Sequence, residues 1–489
     1  MKKKFLLFCL LSLFLAMGAS ALTKGDVNDD GVINIVDAMI VAQVYATTQR
    51  LVDPAVGDVS GDGVSNIVDA LLIAQYYVGV IDVFPIDKLT LEVEVLSSAL
   101  ERDIAPQVSA DEYSAVVNGI NQFAYDFYGR IKGGDDNIFF SPVSLSFAFA
   151  MASAGAKGET RSEILETMHL PGDINYHGAF NKLENQISTA AANPNDYMGD
   201  DLIVRIANST WGQKNYHFMA DFLDTLAVNY GAAMNLLDFM TAPEPARLTI
   251  NKWVSDQTEE MIKDLIPNGA ITPDTRLVLT NAIYFFGNWK NQFDVKNTKN
   301  ENFYNLDESV SSVPMMKMNE KTQYYDGPNY EMLIKTYQGT KRNAMYIFMA
   351  DKGELEMLEA AINEDFVASA KMNARSYIVD LSMPKFDYSW KKSVVKDLKA
   401  LGMMSAFSPS AADFSGINGM RNLFISDVFH EAAISVDEKG TEASAATAII
   451  WAETSIPDYA TMNINRPFIY LIRNEDTGAI LFMGKVIKL

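Results

Sequence analysis

Two short stretches near the start of the chain hold an unusual density of oxygen donors. Gly25-Asp-Val-Asn-Asp-Asp-Gly-Val-Ile-Asn-Ile-Val-Asp-Ala38 recurs as Gly57-Asp-Val-Ser-Gly-Asp-Gly-Val-Ser-Asn-Ile-Val-Asp-Ala70, displaced by 32 residues. Asp26, Asn28, Asp30, Asn34 and Asp37 fall at loop positions 1, 3, 5, 9 and 12 of the first copy, with Gly31 at 6. Asp58, Ser60, Asp62, Asn66 and Asp69 take the same places in the second, with Gly63. Calcium takes six to eight hard oxygen ligands, and the glycine permits the sharp turn that brings them together. Val32 and Val64, at position 7, offer backbone carbonyls. Two loops in register mark a metal site far better than one Asp/Gly-rich turn. Asp in place of a longer Glu at position 12, with Ser60 among the donors, makes the second site the weaker. Residues 22–80 hold eight Asp against Lys24 and Arg50, so repulsion should loosen this module without divalent cations.

Nucleophilic and phosphate chemistry is poorly represented elsewhere. The histidines are His169, His177, His217 and His430, and no G-x-S-x-G elbow accompanies them. Phe429-His-Glu-Ala-Ala-Ile434 starts like H-E-x-x-H, but Ile434 stands where the second zinc ligand belongs. No P-loop or G-x-G-x-x-G occurs. These gaps argue against an enzyme. A formal charge of −22 argues against a nucleic-acid partner, whose phosphates need Lys and Arg.

Lys2, Lys3 and Lys4, the apolar run Phe5 to Met17, and Ala19-Ser-Ala21 make a secretory leader of residues 1–21, too short in its apolar part to span a bilayer. The expectation is a secreted, extracellular product with no membrane partner. Cys9, the sole cysteine, lies in that leader, so the exported chain folds without disulfides. At 489 residues the chain holds roughly three domains, or one large and one small. Each Asp-rich loop precedes one helix, Ala38–Tyr45 or Ala70–Tyr77, which sets a small all-α module at 22–80. Residues 81–110, bracketed by Pro85 and Pro106, read as a linker in which Leu89–Val95 alternates like an edge strand. From 111 to 489 the signals mix. Val116–Ile131, Leu145–Ala154 and Lys391–Leu401 have helical spacing, whereas Val278–Phe286, Ala344–Met349, Tyr377–Met383 and Phe468–Arg473 read as buried strands. Strands and helices do not alternate regularly, so the class is α+β.

The duplicated loop–helix unit resembles a dockerin, the module that plugs into a cohesin domain of a scaffoldin. The resemblance implies two Ca2+ ions, held by the donors named above. It also implies a cohesin-binding face at Ile35, Val36, Ala42, Gln43, Ile67, Val68, Ala74 and Gln75, near-twofold in its duplication. Core packing is the alternative for Ile35 and Ile67; Val36 and Val68 are the better candidates for exposure.

The large domain resembles the serpins, inhibitors with a large central mixed β-sheet, surrounding helices and a mobile reactive-centre loop. Asn137-Ile-Phe-Phe-Ser-Pro-Val-Ser144, Gly155-Ala-Lys-Gly-Glu-Thr160 and Leu279-Thr-Asn-Ala-Ile-Tyr-Phe-Phe-Gly-Asn-Trp289 with Phe293 carry the likeness. Val313-Pro-Met-Met316, Met383-Pro-Lys385, Ala412-Asp-Phe-Ser-Gly416, Phe429-His430, Asn465-Arg-Pro-Phe468 and Leu481-Phe-Met-Gly-Lys-Val486 follow in the family's order. In that family a protease attacks the loop, forms an acyl-enzyme, and is disabled when the cut loop inserts as a new strand into the main sheet. No cofactor is implied for inhibition.

The reactive loop would lie within Val436-Asp-Glu-Lys-Gly-Thr-Glu-Ala-Ser-Ala-Ala-Thr-Ala-Ile-Ile-Trp-Ala-Glu-Thr-Ser455. Its hinge comprises Glu438, Gly440, Thr441, Ala443, Ala445 and Thr447, and no charge falls on the face from Thr441 through Ala445 to Ile449 and Trp451. No proline interrupts it before Pro457. Ser141, Ser144, Asn281 and His430 match the family's shutter, while Trp289, Lys385 and Glu438 match the breach, with a Lys385–Glu438 ion pair expected. Counting from the hinge puts the reactive bond at Thr454–Ser455; counting from the carboxyl side shifts it toward Ile456, and Glu453 is an alternative attacked residue. A small uncharged residue there suits the shallow pocket of an elastase-like or subtilisin-like serine protease. The sequence thus points to a monomeric, cellulosome-associated inhibitor that protects its complex. A docked, non-inhibitory chaperone or structural component is the main rival, and a hydrolase with an unrecognised site the other.

Overall fold

The computed structural model describes residues 24–28, 30, 32–47, 51, 54–60, 64–81, 84, 91–188, 203–339, 342–441 and 458–489. Two compact units divide the chain, one built on Met1–Glu92 with Glu244–Ile250 and Asn268–Ala270, the other on Val93–Pro243, Asn251–Pro267 and Ile271–Leu489.

In the first unit, the helices Ile35–Ala46 and Ile67–Tyr77 begin with the same device. Asn34 accepts from Val36 N and Asp37 accepts from Asn34 N; Asn66, Val68 and Asp69 repeat the arrangement. This reciprocal cap satisfies amides that a helix start leaves without partners. Behind the caps, Ala38, Val41, Ala70 and Ile73 pack together with Val59 and Phe84. Small and branched residues on one helical stripe therefore make the core, and larger apolar side chains are left outside.

Among the described residues of the second unit, the strands are β1 (Glu94–Leu96), β2 (Ile138–Phe140), β3 (Ile203–Gln213), β4 (Met234–Leu237), β5 (Leu277–Asn288), β6 (Lys299–Tyr304), β7 (Val310–Gly327) and β8 (Tyr330–Thr336). They continue as β9 (Asn343–Ala350), β10 (Arg375–Pro384), β11 (Phe386–Ser393), β12 (Val428–Val436), β13 (Gly440–Thr441), β14 (Tyr459–Asn463), β15 (Phe468–Asn474) and β16 (Ile480–Val486). One sheet runs β1-β4-β3-β5-β12-β11, with β13 set against β5. The other runs β14-β10-β7-β8-β9-β15-β16-β2, with β6 on β7. β9, β15 and β16 are buried along almost their whole length, which is why they read as continuous apolar runs. The helix Pro142–Gly155, buried on nearly every face, lies against β16, β5 and β3. Its start is fixed by Ser141, whose Oγ accepts from Ser144 N, and by a proline in the first turn.

One element differs from the sequence reading. The segment expected as one helix over Lys391–Leu401 ends strand β11 at Ser393, and only Val395–Ala400 is helical. Phe386, Tyr388, Trp390 and Lys392 point one way while the residues between them are exposed, and pairing with β12 along all eight residues outweighs the helical spacing. The alternating stretch Leu89–Val95 yields the three-residue strand β1, antiparallel to β4. Beyond it, Ser98 Oγ donates to Asp224 (2.5 Å), Asp103 N donates to Val228 O (2.9 Å), and Arg102 reaches Asn181 and Glu184. No helix among the described residues is long and apolar enough to cross a membrane.

Candidate functional site

The central sheet is incompletely zipped. β5 pairs with β3 along ten residues on one edge, but on the other it meets β12 only where Val428–Glu431 lie parallel to Leu279–Ala282. Above that point the two strands part. On that edge, among the described residues, only Gly440 and Thr441 lie alongside upper β5, antiparallel, opposite Asn288 and Gly287. A Cβ on Gly440 would sit 2.1 Å from Gly287 O, so glycine is required there by close approach of two backbones.

The segment Asp437–Gly440 is tied down at the mouth of this gap. Trp289 N donates to Lys439 O (2.7 Å), Phe293 N donates to Glu438 O (2.8 Å), and Trp289 Nε1 donates to Asp437 O (3.1 Å). The buried Trp289 ring stacks on Tyr337 with centroids 4.5 Å apart. Lys385 Nζ lies 2.8 Å from one Glu438 oxygen, and Thr298 Oγ1 donates to the other at 2.7 Å. Burial pulls the Glu438 carboxyl upward, but these two hydrogen bonds, a backbone hydrogen bond and the Lys385 charge together outweigh it and hold its pKa below the ordinary value. Thr298 had no signal in the sequence, because a threonine before a strand is common.

A second polar cluster sits at the zipped end. Ser141 N donates to His430 Nε2 (3.1 Å), and Ser141 Oγ donates to Leu481 O (2.8 Å). Burial pushes the His430 imidazole down to about 3, so it is neutral, an acceptor at Nε2 rather than an acid or a ligand. Ser144 Oγ donates to Asn208 Oδ1, while Asn208 Nδ2 returns a bond to Ser144 O. Asn281 stands opposite both His430 and Asn208 in the strand register. The sequence reading missed Asn208; a polar residue inside a buried strand was the available signal.

In the first unit, Asp26, Asp37, Asp58 and Asp69 are all buried. Asp37 Oδ1 accepts from Val27 N and Asn28 N, and Asp69 Oδ1 accepts from Ser60 N. Burial raises the Asp37 carboxyl, and the charge of Asp26 adds to the rise against the hydrogen bonds it accepts. Asp26 Oδ1 and Asn28 Oδ1 both accept from Asp30 N, closing the loop. Asn34 and Asn66 serve as caps, their Nδ2 groups donating to Val32 O and Val64 O. No group of three carboxylates or imidazoles converges among the described residues, and Asp62, Gly31 and Gly63 lie outside them. Two buried carboxylates in each loop are nevertheless the donor chemistry a hard cation requires.

A family model for the serpins (serine protease inhibitors) matches residues 118–489. The chain belongs to the serpin family. A dockerin type I domain model matches residues 24–77. An uncharacterized serpin-like protein of Methanosarcina acetivorans is 34% identical over 379 residues, covering 77% of this chain and 87% of the relative. The human leukocyte elastase inhibitor is 34% identical over 375 residues, covering 74% and 97%. The crystal structure of the thermophilic serpin tengpin in its native state has a TM-score of 0.70 at 25% identity, spanning 82% of this chain and all of that one. Serpins as a family are protease inhibitors rather than enzymes, although some members are non-inhibitory.

The reactive-loop residues Ala443, Ala445, Thr447, Thr454 and Ser455, with the alternatives Glu453 and Ile456, lie outside the described residues of this serpin. On its dockerin domain, Ile35 and Ile67 are 43% and 51% exposed, which decides against core packing for both. Val36 and Val68 are exposed beside them, as are Met39 and Leu71 one turn on. Ala42 and Ala74 instead face the small core, while Gln43 is exposed and Gln75 half-buried. The sequence reading had not named Met39 and Leu71, although their place in the two copies is the same.

Proposed function

We propose that this secreted serpin is a suicide inhibitor of elastase-like or subtilisin-like serine proteases. Its dockerin would tether it to a cohesin of a cellulosome-like complex, which it protects. The observation that carries the reading is the parting of β5 and β12 above four paired residues, with Gly440 and Thr441 already laid antiparallel on β5. On insertion, a continuation of that register would bring Ala443 opposite Phe285, Ala445 opposite Ile283, Thr447 opposite Asn281 and Ile449 opposite Leu279. Phe285, Ile283 and Leu279 belong to the core, so this uncharged face of the loop would enter it. After attack at Thr454–Ser455 the acyl-linked strand would slide between β5 and β12, displacing the four-residue pairing and carrying the protease with it. Ten new residues each gain ladder hydrogen bonds worth about 0.5–1.5 kcal/mol apiece, a total on the order of 10 kcal/mol.

In the dockerin, Asp26, Asn28, Asp30, Asp37 and the Val32 carbonyl would hold one Ca2+, and Asp58, Ser60, Asp62, Asp69 and the Val64 carbonyl the other. Asn34 and Asn66, engaged as caps, would contribute through water. The ions would offset the buried carboxylates and rigidify both loops, presenting Ile35, Val36, Met39 and their counterparts to the cohesin. The similarity to the leukocyte elastase inhibitor supports the protease class. Incubation with pancreatic elastase and with subtilisin tests the reading: a complex that survives SDS is expected, and cleavage with release of intact protease from both would favour the docked, non-inhibitory alternative.

A further inference from the structure

Beneath the mouth of the sheet lies a charged pair that neither the insertion chemistry nor the sequence motifs require. Lys335 on β8 and Glu320 on β7 are 0% and 3% exposed in their side chains, with Nζ and Oε2 2.6 Å apart. Lys335 Nζ also donates to Asn291 O (3.0 Å) and lies 5.1 Å from the Trp289 ring centre and 4.6 Å from that of Phe293. Glu320 Oε1 accepts from Asn291 Nδ2 (3.2 Å). Both polar ends of Asn291 and both flanking aromatic rings are thus held by one buried ammonium and its carboxylate. The same short segment supplies the amides of Trp289 and Phe293 that bind Lys439 O and Glu438 O.

We propose that Lys335 and Glu320 are positioning residues for strand insertion, clamping segment 289–293 from below so that it grips the loop hinge from above. A buried ion pair is a poor device for stability alone, since an apolar pair of similar volume often serves as well. It is a good device for fixing one geometry, because its hydrogen bonds are directional and an unpaired charge is not tolerated. Burial draws the Lys335 ammonium downward in pKa and Glu320 opposes that, so the clamp depends on both partners. Insertion on the register above keeps Gly440 and Thr441 in place, so segment 289–293 must hold the hinge while the loop follows, and the clamp sets how firmly that first register is fixed.

The inference rests on the inhibitory reading, and its test separates the two. The double variant Lys335→Met with Glu320→Leu removes both charges together. Amide exchange of Trp289 and Phe293 in the uncleaved protein is expected to quicken at least tenfold in the variant. Uptake of a synthetic peptide of residues 441–452 should quicken several-fold, and the stoichiometry of inhibition should change at least twofold, with the denaturant midpoint near that of the parent. Parent-like exchange, uptake and stoichiometry would overturn the clamp. If the double variant does not fold, Asn291→Ala, which deletes one arm of the clamp, carries the same expectation and the same refutation. A parent that neither inhibits nor takes up peptide would instead sink the inhibitory reading, while exchange at Trp289 and Phe293 still reports on the pair.

Discussion

Replacing Ala445 by glutamate examines the insertion register at a single point. Extension of the Gly440–Asn288 and Thr441–Gly287 pairs on insertion would bring residue 445 opposite Ile283, which belongs to the core with Leu279 and Phe285. A carboxylate carried there loses its water and meets no cation, at a cost of several kcal/mol. If about 3–5 kcal/mol of that appears in the barrier to insertion, the step slows by roughly 100-fold to several thousand-fold. Deacylation by the protease is untouched, so nearly every encounter should end in cleavage. Titrating a fixed amount of protease and counting inhibitor consumed per enzyme inactivated gives the partition directly. The parent should need close to one equivalent and Ala445→Glu many, with the SDS-stable band lost. Ser444→Glu, on the side that already holds Glu442, should remain near the parent. Equal effects of the two substitutions, or none from Ala445→Glu, would refute the register.

Thr441→Arg should likewise turn inhibitor into substrate, because the residue from which insertion proceeds, opposite Gly287, would carry a charge into the gap; an unchanged stoichiometry would contradict it. Chelation should abolish cohesin binding, read by calorimetry, while protease inhibition persists. Arg102→Ala should lower stability by about 1–3 kcal/mol, since Asn181 and Glu184 lose their shared donor; denaturant unfolding measures it. Stability should also fall as pH drops from about 6.5 toward 3. His430, held neutral in the fold with its pKa near 3, takes up a proton on unfolding in that range, and His177, pushed down to about 4, adds to the loss. His430→Gln should flatten that slope.

Much of the architecture was legible because its signals are repetitive or bulky. The 32-residue duplication exposed both Asp-rich loops, and the apolar runs now seen as β5, β9, β10 and β15 could hardly be anything but buried strands. Gly440 was readable as a hinge, but not the reason for it, since the close approach of Gly287 O depends on a strand 150 residues away in sequence. Lys391–Leu401 misled because lysines and leucines at helical spacing also satisfy a strand whose inner face is Phe386, Tyr388 and Trp390. Thr298, Lys335 and Glu320 were invisible for one shared reason. Each acts through a partner on another element, and nothing in its local sequence marks it. Met39 and Leu71 carry no mark in the sequence that sets them apart from helix core, and only the small Ala–Val–Ile stripe that fills that core shows them to be outside.

The most direct measurement compares the thermal midpoints of the intact protein and of the same protein after cleavage within the loop. Insertion of ten residues between β5 and β12 predicts a rise on the order of 20 °C, from a gain of about 10 kcal/mol. Identical midpoints, with the cut loop still open to a second protease, would contradict the account.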